Sequence, residues 1–255
     1  MGDAVTSLWR AVRVLVAHPT LFVVIGGCSL IGVLFSFTLS QVPIVGLLIA
    51  PVGYPFIVAG VLSVAAAAID GRPTYPPLVI GAKAYTVDVL LAFGLVSLLW
   101  MSVGFVLAMG VGISYAYDPT TLDIAMGVAS ITYIGVTGVF LVVAQFVDVG
   151  IVLGNHDVRA SFHNAWNIAI TEPVSVVGYS LVRWSLWSVP TIAWIVVILT
   201  YLPSLHANPV NTIFGISGWI AVIGLLSVPP VWTISYVYHV TFFLGLDERY
   251  EFISQ

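Results

Sequence analysis

The amino-acid sequence predicts an all-α protein, a polytopic bundle of six transmembrane helices with amphipathic helices on its cytoplasmic surface. Three observations support this prediction. Hydrophobic residues make up 60% of the 255 residues and charged residues only 7%, whereas a soluble domain has about 25% charged residues. Six apolar runs have the length of a membrane span. The basic residues occur in alternate segments between these runs, as they do in membrane proteins with a fixed orientation.

Each apolar run has the length that a helix needs to cross a hydrocarbon core about 30 Å thick, which is about 20 residues. The predicted spans are residues 21–38, 44–69, 89–113, 124–153, 174–201 and 210–246. The last three are longer than a perpendicular span requires, so we expect tilt, breaks or extensions into the interface. The simplest interpretation is a single integral membrane domain over residues 1–255.

The basic residues predict the orientation of the spans, because short loops rich in Lys and Arg stay on the cytoplasmic side during insertion. Only Arg183 lies inside a predicted span. The other six basic residues lie in the N-terminal segment, the second and fourth connections and the C-terminal tail: Arg10, Arg13, Arg72, Lys83, Arg159 and Arg249. The other three connections contain none. We therefore expect a multi-pass protein of the cell membrane with both termini in the cytoplasm.

The first span has an alternative interpretation as a secretory signal with a lipidated cysteine. The sequence Ile25–Cys28 is similar to a lipoprotein cleavage motif, and Arg10 and Arg13 would be its basic region. A signal's apolar region is short and ends near the cleavage site, whereas this run continues to Thr38. We therefore favour a membrane helix. Since the chain has one cysteine, no intrachain disulfide is possible.

Two cytoplasmic segments have the pattern of an amphipathic helix lying in the membrane surface. In the first, apolar residues recur at spacings of three and four: Val5, Leu8, Trp9, Val12, Leu15 and Val16. In the second, the apolar side comprises Val158, Phe162, Ala165, Trp166 and Ala169, and the polar side Arg159, His163, Asn164 and Asn167. Each segment precedes a proline, Pro19 or Pro173. Proline disfavours helical geometry in the residue before it and suits a first helical turn, so we expect a corner at each.

A third, weaker case follows the second span. Leu78, Ile80, Ala82 and Tyr85 have the spacing of a short surface helix. A unit of surface helix plus span therefore occurs up to three times. The sequence leaves two explanations open, a repeated unit or the general tendency of short cytoplasmic connections to be amphipathic.

A family resemblance rests on the second surface helix and its corner. Arg159–Trp166, Thr171–Pro173 and Val176–Ser180 resemble the signature of uncharacterised prokaryotic six-helix membrane proteins, haloarchaeal members among them. These are similar to the membrane domain found with some glycerophosphoryl diester phosphodiesterases. The stretch from Trp9 to Pro19 and the turn at residues 70–72 also fit, whereas Glu172 replaces the usual Asn. The resemblance implies a six-helix membrane fold. It does not imply phosphodiesterase activity, because the matching motif is structural.

Four polar residues inside the predicted spans are the candidate binding residues. An ionisable residue in a span costs about 2.5–3.5 kcal/mol on insertion scales, so it usually faces protein or water and has a partner. Arg183, Asp148 and His239 lie in the cytoplasmic half, where adjacent antiparallel spans would bring Arg183 and Asp148 together. With Gln145 they would form a proton or anion site. In the alternative interpretation, Arg183 extends toward the lipid headgroups beside two tryptophans, and Asp148 already lies near the interface.

Five prolines interrupt the predicted spans and are expected to kink or break them: Pro51, Pro55, Pro190, Pro229 and Pro230. Broken helices can form the central site of a transporter, although kinks are also common in membrane helices. Gly150 and Gly154 form a GxxxG pattern that favours close packing within the bundle. Oligomeric state does not follow from this pattern.

No motif for catalysis, nucleotide binding or metal binding occurs in the sequence, and no cofactor is expected. A net charge of −4 without a basic cluster argues against nucleic acid as a partner. We expect a structural, regulatory or lipid-associated membrane protein without catalysis, in contact with the lipid bilayer. A second membrane protein is a candidate partner. The alternatives are a small-solute or ion transporter that uses the proline-broken helices, and a membrane-embedded enzyme.

Overall fold

A computed structural model gives the fold and describes residues 2–40, 43–71, 75–201 and 209–254. Side chains are described in these ranges except at residues 33–40, 43–52, 75–76, 119, 209–214, 217–218, 220–221, 225 and 247–254. The described residues contain helices and no strand, so the all-α prediction is confirmed. The helices are α1 (Gly2–Ala17), α2 (Thr20–Ser40), α3 (Pro43–Ile69), α4 (Tyr75–Tyr117), a 3-10 turn (Pro119–Thr121), α5 (Leu122–Ala144), α6 (Val147–Val152), α7 (Val158–Thr171), α8 (Pro173–Tyr201) and α9 (Pro209–Ser254).

Three stretches of the described residues are long and apolar enough to cross a membrane: Pro77–Tyr117, Leu122–Val152 and Pro173–Tyr201. The number rises to four if α1 and the first part of α2, which meet at a bend of 103°, count as one span. All six predicted runs fall on helical chain. The helices are therefore confirmed, and the count of six spans stays a prediction.

The chain divides into two compact units, residues 1–86 with 174–255 and residues 87–173. In the first unit, α9 is the central helix and packs against α1, α2 and α3. Its segment from Val231 to Phe243 is almost entirely buried. In the second unit, α7 packs against α5 and α6. The single domain over residues 1–255 stays a prediction.

The segment predicted as the first surface helix is helical and forms α1, but the face that packs against protein differs from the predicted apolar face. The buried stripe has residues at spacings of three and four and consists of three small residues and one leucine: Ala4, Ser7, Ala11 and Leu15. Most of the predicted apolar positions are more exposed, and Trp9 is 61% exposed. Helix α1 therefore has two non-polar faces. One contacts α9, and the other, with Val5, Trp9 and Val16, is open.

The corner predicted at Pro19 is confirmed. The helical hydrogen bonds of α1 end with His18 N–H donating to the Val14 carbonyl, and a new helix begins where Leu21 N–H donates to the His18 carbonyl. Proline has no N–H to donate, so its position directly before α2 costs no helical hydrogen bond. The resulting 103° bend turns α1 across the end of α2.

The segment predicted as the second surface helix is also helical and forms α7. Asp157 is its N-cap, and its carboxylate accepts a hydrogen bond from Ala160 N–H at 2.6 Å. Asn155, in the turn before it, has a φ of +50°, a left-handed conformation that asparagine tolerates better than most residues. The buried stripe again contains small residues, Ser161 and Ala165, together with Ile168. Helix α8 then begins at Pro173, as predicted.

The third surface helix was predicted as a separate short element, and the structure corrects this. Leu78, Ala82 and Tyr85 belong to the first turns of α4, which continues as one helix to Tyr117. The physical reason is that no proline separates the surface segment from the predicted span. Positions 86–92 contain no proline, so nothing interrupts the helical hydrogen bonds between the surface segment and the predicted span.

The three segments nevertheless share one kind of contact, because each lies against a glycine of another helix. A Cβ on Gly60 of α3 would lie 2.8 Å from the Leu78 carbonyl oxygen of α4. A Cβ on Gly150 of α6 would lie 3.5 Å from Ser161 of α7. A Cβ on Gly245 of α9 would lie 3.9 Å from the Ser7 hydroxyl of α1. This shared contact favours a repeated structural unit over three unrelated amphipathic connections.

The prolines predicted as helix breaks lie inside helices that continue past them. Pro190 lies in α8, Pro229 and Pro230 lie in α9, and Pro55 lies in α3. The backbone at Pro51 is also part of α3, but its side chain is outside the described residues, as are Arg72 and the side chain of Arg249. The interruption that does occur is at Gln145 and Phe146, between α5 and α6. No proline predicts that break.

Candidate functional site

The candidate site is a buried cluster of one histidine, two tyrosines and one phenylalanine between α8 and α9. Tyr179, Tyr238 and His239 are fully buried, and Phe242 is 1% exposed. On α9, residues 238, 239 and 242 lie within one helical turn, so their side chains project from adjacent positions on one side of the helix. Tyr179 of α8 contacts all three.

The hydroxyl of Tyr179 connects two of the candidate residues. Arg183 Nη1 donates a hydrogen bond to this oxygen at 3.0 Å, and His239 Nδ1 lies 2.5 Å from the same oxygen. A guanidinium only donates hydrogen bonds, whereas a phenolic hydroxyl both accepts and donates. Tyr179 can therefore accept from Arg183 and donate its own proton to Nδ1 of His239. In that arrangement, a neutral His239 carries its proton on Nε2.

Ring contacts fix the position of Tyr179. Its ring stacks on Phe242 with centroids 4.5 Å apart and on Tyr238 with centroids 5.0 Å apart. The guanidinium carbon of Arg183 lies 5.9 Å from the centroid of the Tyr179 ring, within the range of a cation–π contact. Since each aromatic pair contributes about 0.5–1.5 kcal/mol beyond its buried area, the ring is held on several sides. The packing of the ring therefore restricts the position of the Tyr179 hydroxyl, in addition to its hydrogen bonds.

Arg183 is half-buried and contacts a residue one turn earlier on its own helix. The spacing of four residues places both side chains on one face of α8. The guanidinium therefore donates a hydrogen bond to a tyrosine of its own helix. Trp184 and Trp187 are its predicted neighbours on the lipid side. Trp184 is more than half exposed, and Trp187 is half-buried.

Asp148 and Gln145 lie in the second compact unit, at the break between α5 and α6. The Gln145 side-chain amide donates to the Val142 carbonyl at 2.9 Å. One Asp148 carboxylate oxygen accepts from Val149 N–H at 2.8 Å in the first turn of α6, and the residue is 9% exposed. Both therefore contribute hydrogen bonds at the interrupted helix. The predicted pairing of Asp148 with Arg183 stays a prediction.

A second aromatic group lies on α9 one turn from the site. Trp232 stacks on Tyr236 with centroids 5.6 Å apart, and Tyr54 and Trp187 contact it edge-on. The Trp232 Nε1–H is buried, and the described residues provide no hydrogen-bond partner for it. A buried donor without a hydrogen-bond partner lowers the stability of the fold. This indole N–H is therefore a polar group in otherwise non-polar surroundings.

Sequence reasoning found Arg183 and His239 but missed Tyr179, which connects them. The reason is that a tyrosine in an apolar run is ordinary composition, whereas an arginine or a histidine is not. One signal was present. Tyr179 precedes Arg183 by four residues, and a long cationic side chain in a helix commonly extends toward a partner at that spacing.

The fold and the site define a class of protein: an all-helical chain with helices of membrane length and an Arg–Tyr–His cluster between two of them. Comparison with known families then places it. The chain belongs to a family described as a domain of unknown function, DUF7847, which it matches over residues 3–246. No curated protein and no solved structure matches the chain.

Proposed function

We propose that this chain is a multi-pass integral membrane protein with six spans and cytoplasmic termini, and that it acts in association with lipid rather than as an enzyme. The observation that supports this most is the open non-polar face of the two surface helices. Trp9 and Val16 on α1, and Trp166 and Ile170 on α7, are each at least half exposed. A non-polar face of this kind is stable when it is buried at the boundary between headgroups and acyl chains.

The charges on these helices support the same role. Arg10 and Arg13 are exposed on α1, and Arg159 is exposed on α7. A helix with a non-polar face and basic residues beside it binds a membrane surface through buried apolar area and attraction to anionic headgroups. No sequence motif supports catalysis.

The topology is tested by cysteine labelling. In a Cys28→Ser background, single cysteines replace Asp118, expected outside, and His156, expected in the cytoplasm. A membrane-impermeant maleimide applied to intact cells should label the cysteine at 118 and not that at 156, and both should react after lysis. Labelling of both in intact cells, or of neither, would contradict the proposed orientation.

The lipid-associated role is tested through Trp9. Brominated phospholipids quench tryptophan fluorescence on contact, so replacing Trp9 by Phe should reduce the quenched part of the signal in reconstituted vesicles. Replacing Trp232, whose indole nitrogen is buried, by Phe serves as the comparison. If the loss of Trp9 leaves the quenched fraction unchanged, α1 does not contact lipid and the proposed role loses its main support.

A second candidate function is ion or proton transport, favoured by the contact between buried His239, Tyr179 and Arg183. Buried titratable groups in series are the elements of a proton relay. Proteoliposomes with a pH-sensitive dye inside should then show proton uptake that is lost in His239→Gln and kept in Tyr238→Phe. If wild-type vesicles and empty vesicles acidify at the same rate, this candidate is excluded.

A further inference from the structure

Helix α7 and helix α5 enclose a non-polar groove next to a cationic surface. The groove has a volume of about 520 Å³ and is lined on α5 by Gly135, Val139, Phe140 and Val143 and on α7 by Phe162 and Trp166. This volume is within the range of about 300–1,000 Å³ that small-molecule sites have. Nine residues of α5, 135 to 143, run along it, which corresponds to a length of about 12 Å. The groove is therefore elongated, as a site for a hydrocarbon chain must be.

The cationic surface continues along the same helix. A second depression of about 360 Å³ is lined by Asp157, Arg159, Ala160 and His163. Because residues three and four apart are neighbours on a helix, Arg159 lies beside Phe162 and His163, and His163 lies beside Trp166. The guanidinium and the imidazole thus lie next to the two aromatic rings on one side of α7. A ligand that spans both parts needs a polar anionic end and a long apolar end.

Charge decides which kind of polar end fits. Arg159 and His163 are exposed, so both can be reached from outside the helix. Asp157 is the one carboxylate in this depression, and its oxygen is used as the N-cap of α7, where it accepts from Ala160 N–H. Arginine binds phosphate through parallel N–H donors. A phosphate beside Arg159 and His163 therefore has donors, and the nearest carboxylate is already hydrogen-bonded to the backbone.

We propose that this surface is a specific binding site for one phospholipid of the surrounding membrane, with its phosphate at Arg159 and His163 and an acyl chain in the α5–α7 groove. This deepens the proposed lipid-associated function and rests on it, since α7 must lie at the membrane surface. The site gives a ligand role to the tryptophan that the sequence pattern singled out. Trp166 is half exposed because its ring forms one wall of the groove.

Two substitutions separate the parts of the site. Gly135→Leu fills the groove, and it can do so without a clash because a Cβ there has no atom within 4 Å. Gly138→Leu is its matched control, since Gly138 has the same free space on the same helix but does not line the groove. Arg159→Gln removes the charge, and Lys83→Gln, at an exposed position of α4, is the control for loss of one positive charge.

The experiment titrates the purified full-length chain in detergent with phosphatidylglycerol or with diacylglycerol of the same chain length, and counts bound lipid by native mass spectrometry. The wild-type chain should retain one phosphatidylglycerol and bind diacylglycerol at least about tenfold more weakly, because a charge-assisted hydrogen bond is lost. Arg159→Gln should abolish this preference. Gly135→Leu should weaken both lipids, and the two controls should match the wild type.

Three results would overturn the proposal: equal binding of the two lipids, equal effects of Gly135→Leu and Gly138→Leu, or many weakly bound lipids that no substitution changes. The last result means that lipid surrounds the protein without a specific site. In each case the labelling of residues 118 and 156 remains an independent measure of topology. The site can therefore fail while the membrane topology stands, and an inverted topology is recognised separately.

Discussion

Replacing Tyr179 by phenylalanine removes the hydroxyl that joins Arg183 to His239 and leaves the ring in place. The ring contacts with Tyr238 and Phe242 persist, so the change isolates the hydrogen bonds of one oxygen. His239 is fully buried. A buried polar group that loses its partner costs about 1–3 kcal/mol, and we expect the free energy of unfolding to fall by that amount.

The control for this change lies in the same cluster. Tyr238 is as buried as Tyr179, but the described residues provide no hydrogen-bond partner for its hydroxyl. Tyr238→Phe removes a buried polar group that gains nothing from its surroundings, so stability should stay the same or rise slightly. Both substitutions delete one oxygen from a stacked ring. Any difference between them therefore comes from hydrogen bonding.

The assay is a double-mutant cycle measured by SDS titration of the purified protein in a fixed detergent, followed by circular dichroism. Tyr179→Phe, His239→Leu and the double variant give the coupling energy between the two side chains. Residues that share a hydrogen-bond network couple by about 0.5–3 kcal/mol. A coupling energy below about 0.5 kcal/mol, or equal effects of Tyr179→Phe and Tyr238→Phe, would refute the assignment of this contact as the centre of the site.

Three further predictions concern the helix ends and contacts. Asp157→Ala removes the N-cap of α7 and should cost about 0.5–2 kcal/mol, seen as faster amide exchange in the first turn of α7, while Asp157→Asn should retain most of the protection. Gly81→Ala forces a methyl group into the Ser63 side chain and should lower stability by about 1–3 kcal/mol, with recovery in the double variant that also carries Ser63→Gly. Hydrogen bonds from the N–H and hydroxyl of Thr120 lower the pKa of Asp118. Because the folded pKa is below the unfolded value of about 3.9, this turn gains stability above that pH and loses it as the pH falls through the folded pKa. An NMR titration of the Asp118 carboxyl should show a higher pKa in Thr120→Ala, and an unchanged pKa would exclude Thr120 as the cause.

The helices, the corner at Pro19 and the start of α8 at Pro173 could be predicted from the sequence because their causes are local. An apolar run has no alternative to helical hydrogen bonding in a bilayer, and Pro19 and Pro173 fix the start of a helix through their own ring geometry. The continuity of α4 was missed for a related reason. Amphipathic spacing at residues 78–85 indicates which face is polar, but it does not indicate where the helix ends. An end requires a residue that stops the hydrogen-bond ladder, and this segment has none.

The candidate site was predictable only in part, because a contact between helices depends on their packing. Arg183 and His239 stand out in the sequence by the cost of burying them. Tyr179 stands out only when α8 lies against α9, since its importance comes from a histidine 60 positions away. The burial of small residues on α1 was missed similarly. A hydrophobic pattern marks every non-polar face, and it does not distinguish the face against protein from the face against lipid.

Helices α1 and α7 each have two non-polar faces that differ in the size of their side chains. On α1 and α7 the small residues Ser7, Ala11, Ser161 and Ala165 are buried against protein, since small side chains let two helices approach closely. The large residues Trp9 and Trp166 remain on the open side. Packing against protein is thus achieved by residues with little hydrophobic area, which leaves the larger side chains available to lipid. A helix held by its small residues keeps its position against the neighbouring helices. Its arginines and tryptophans are therefore held at a fixed place relative to those helices. This is the arrangement that a specific lipid site requires, and it follows from the division of side-chain size around the helix.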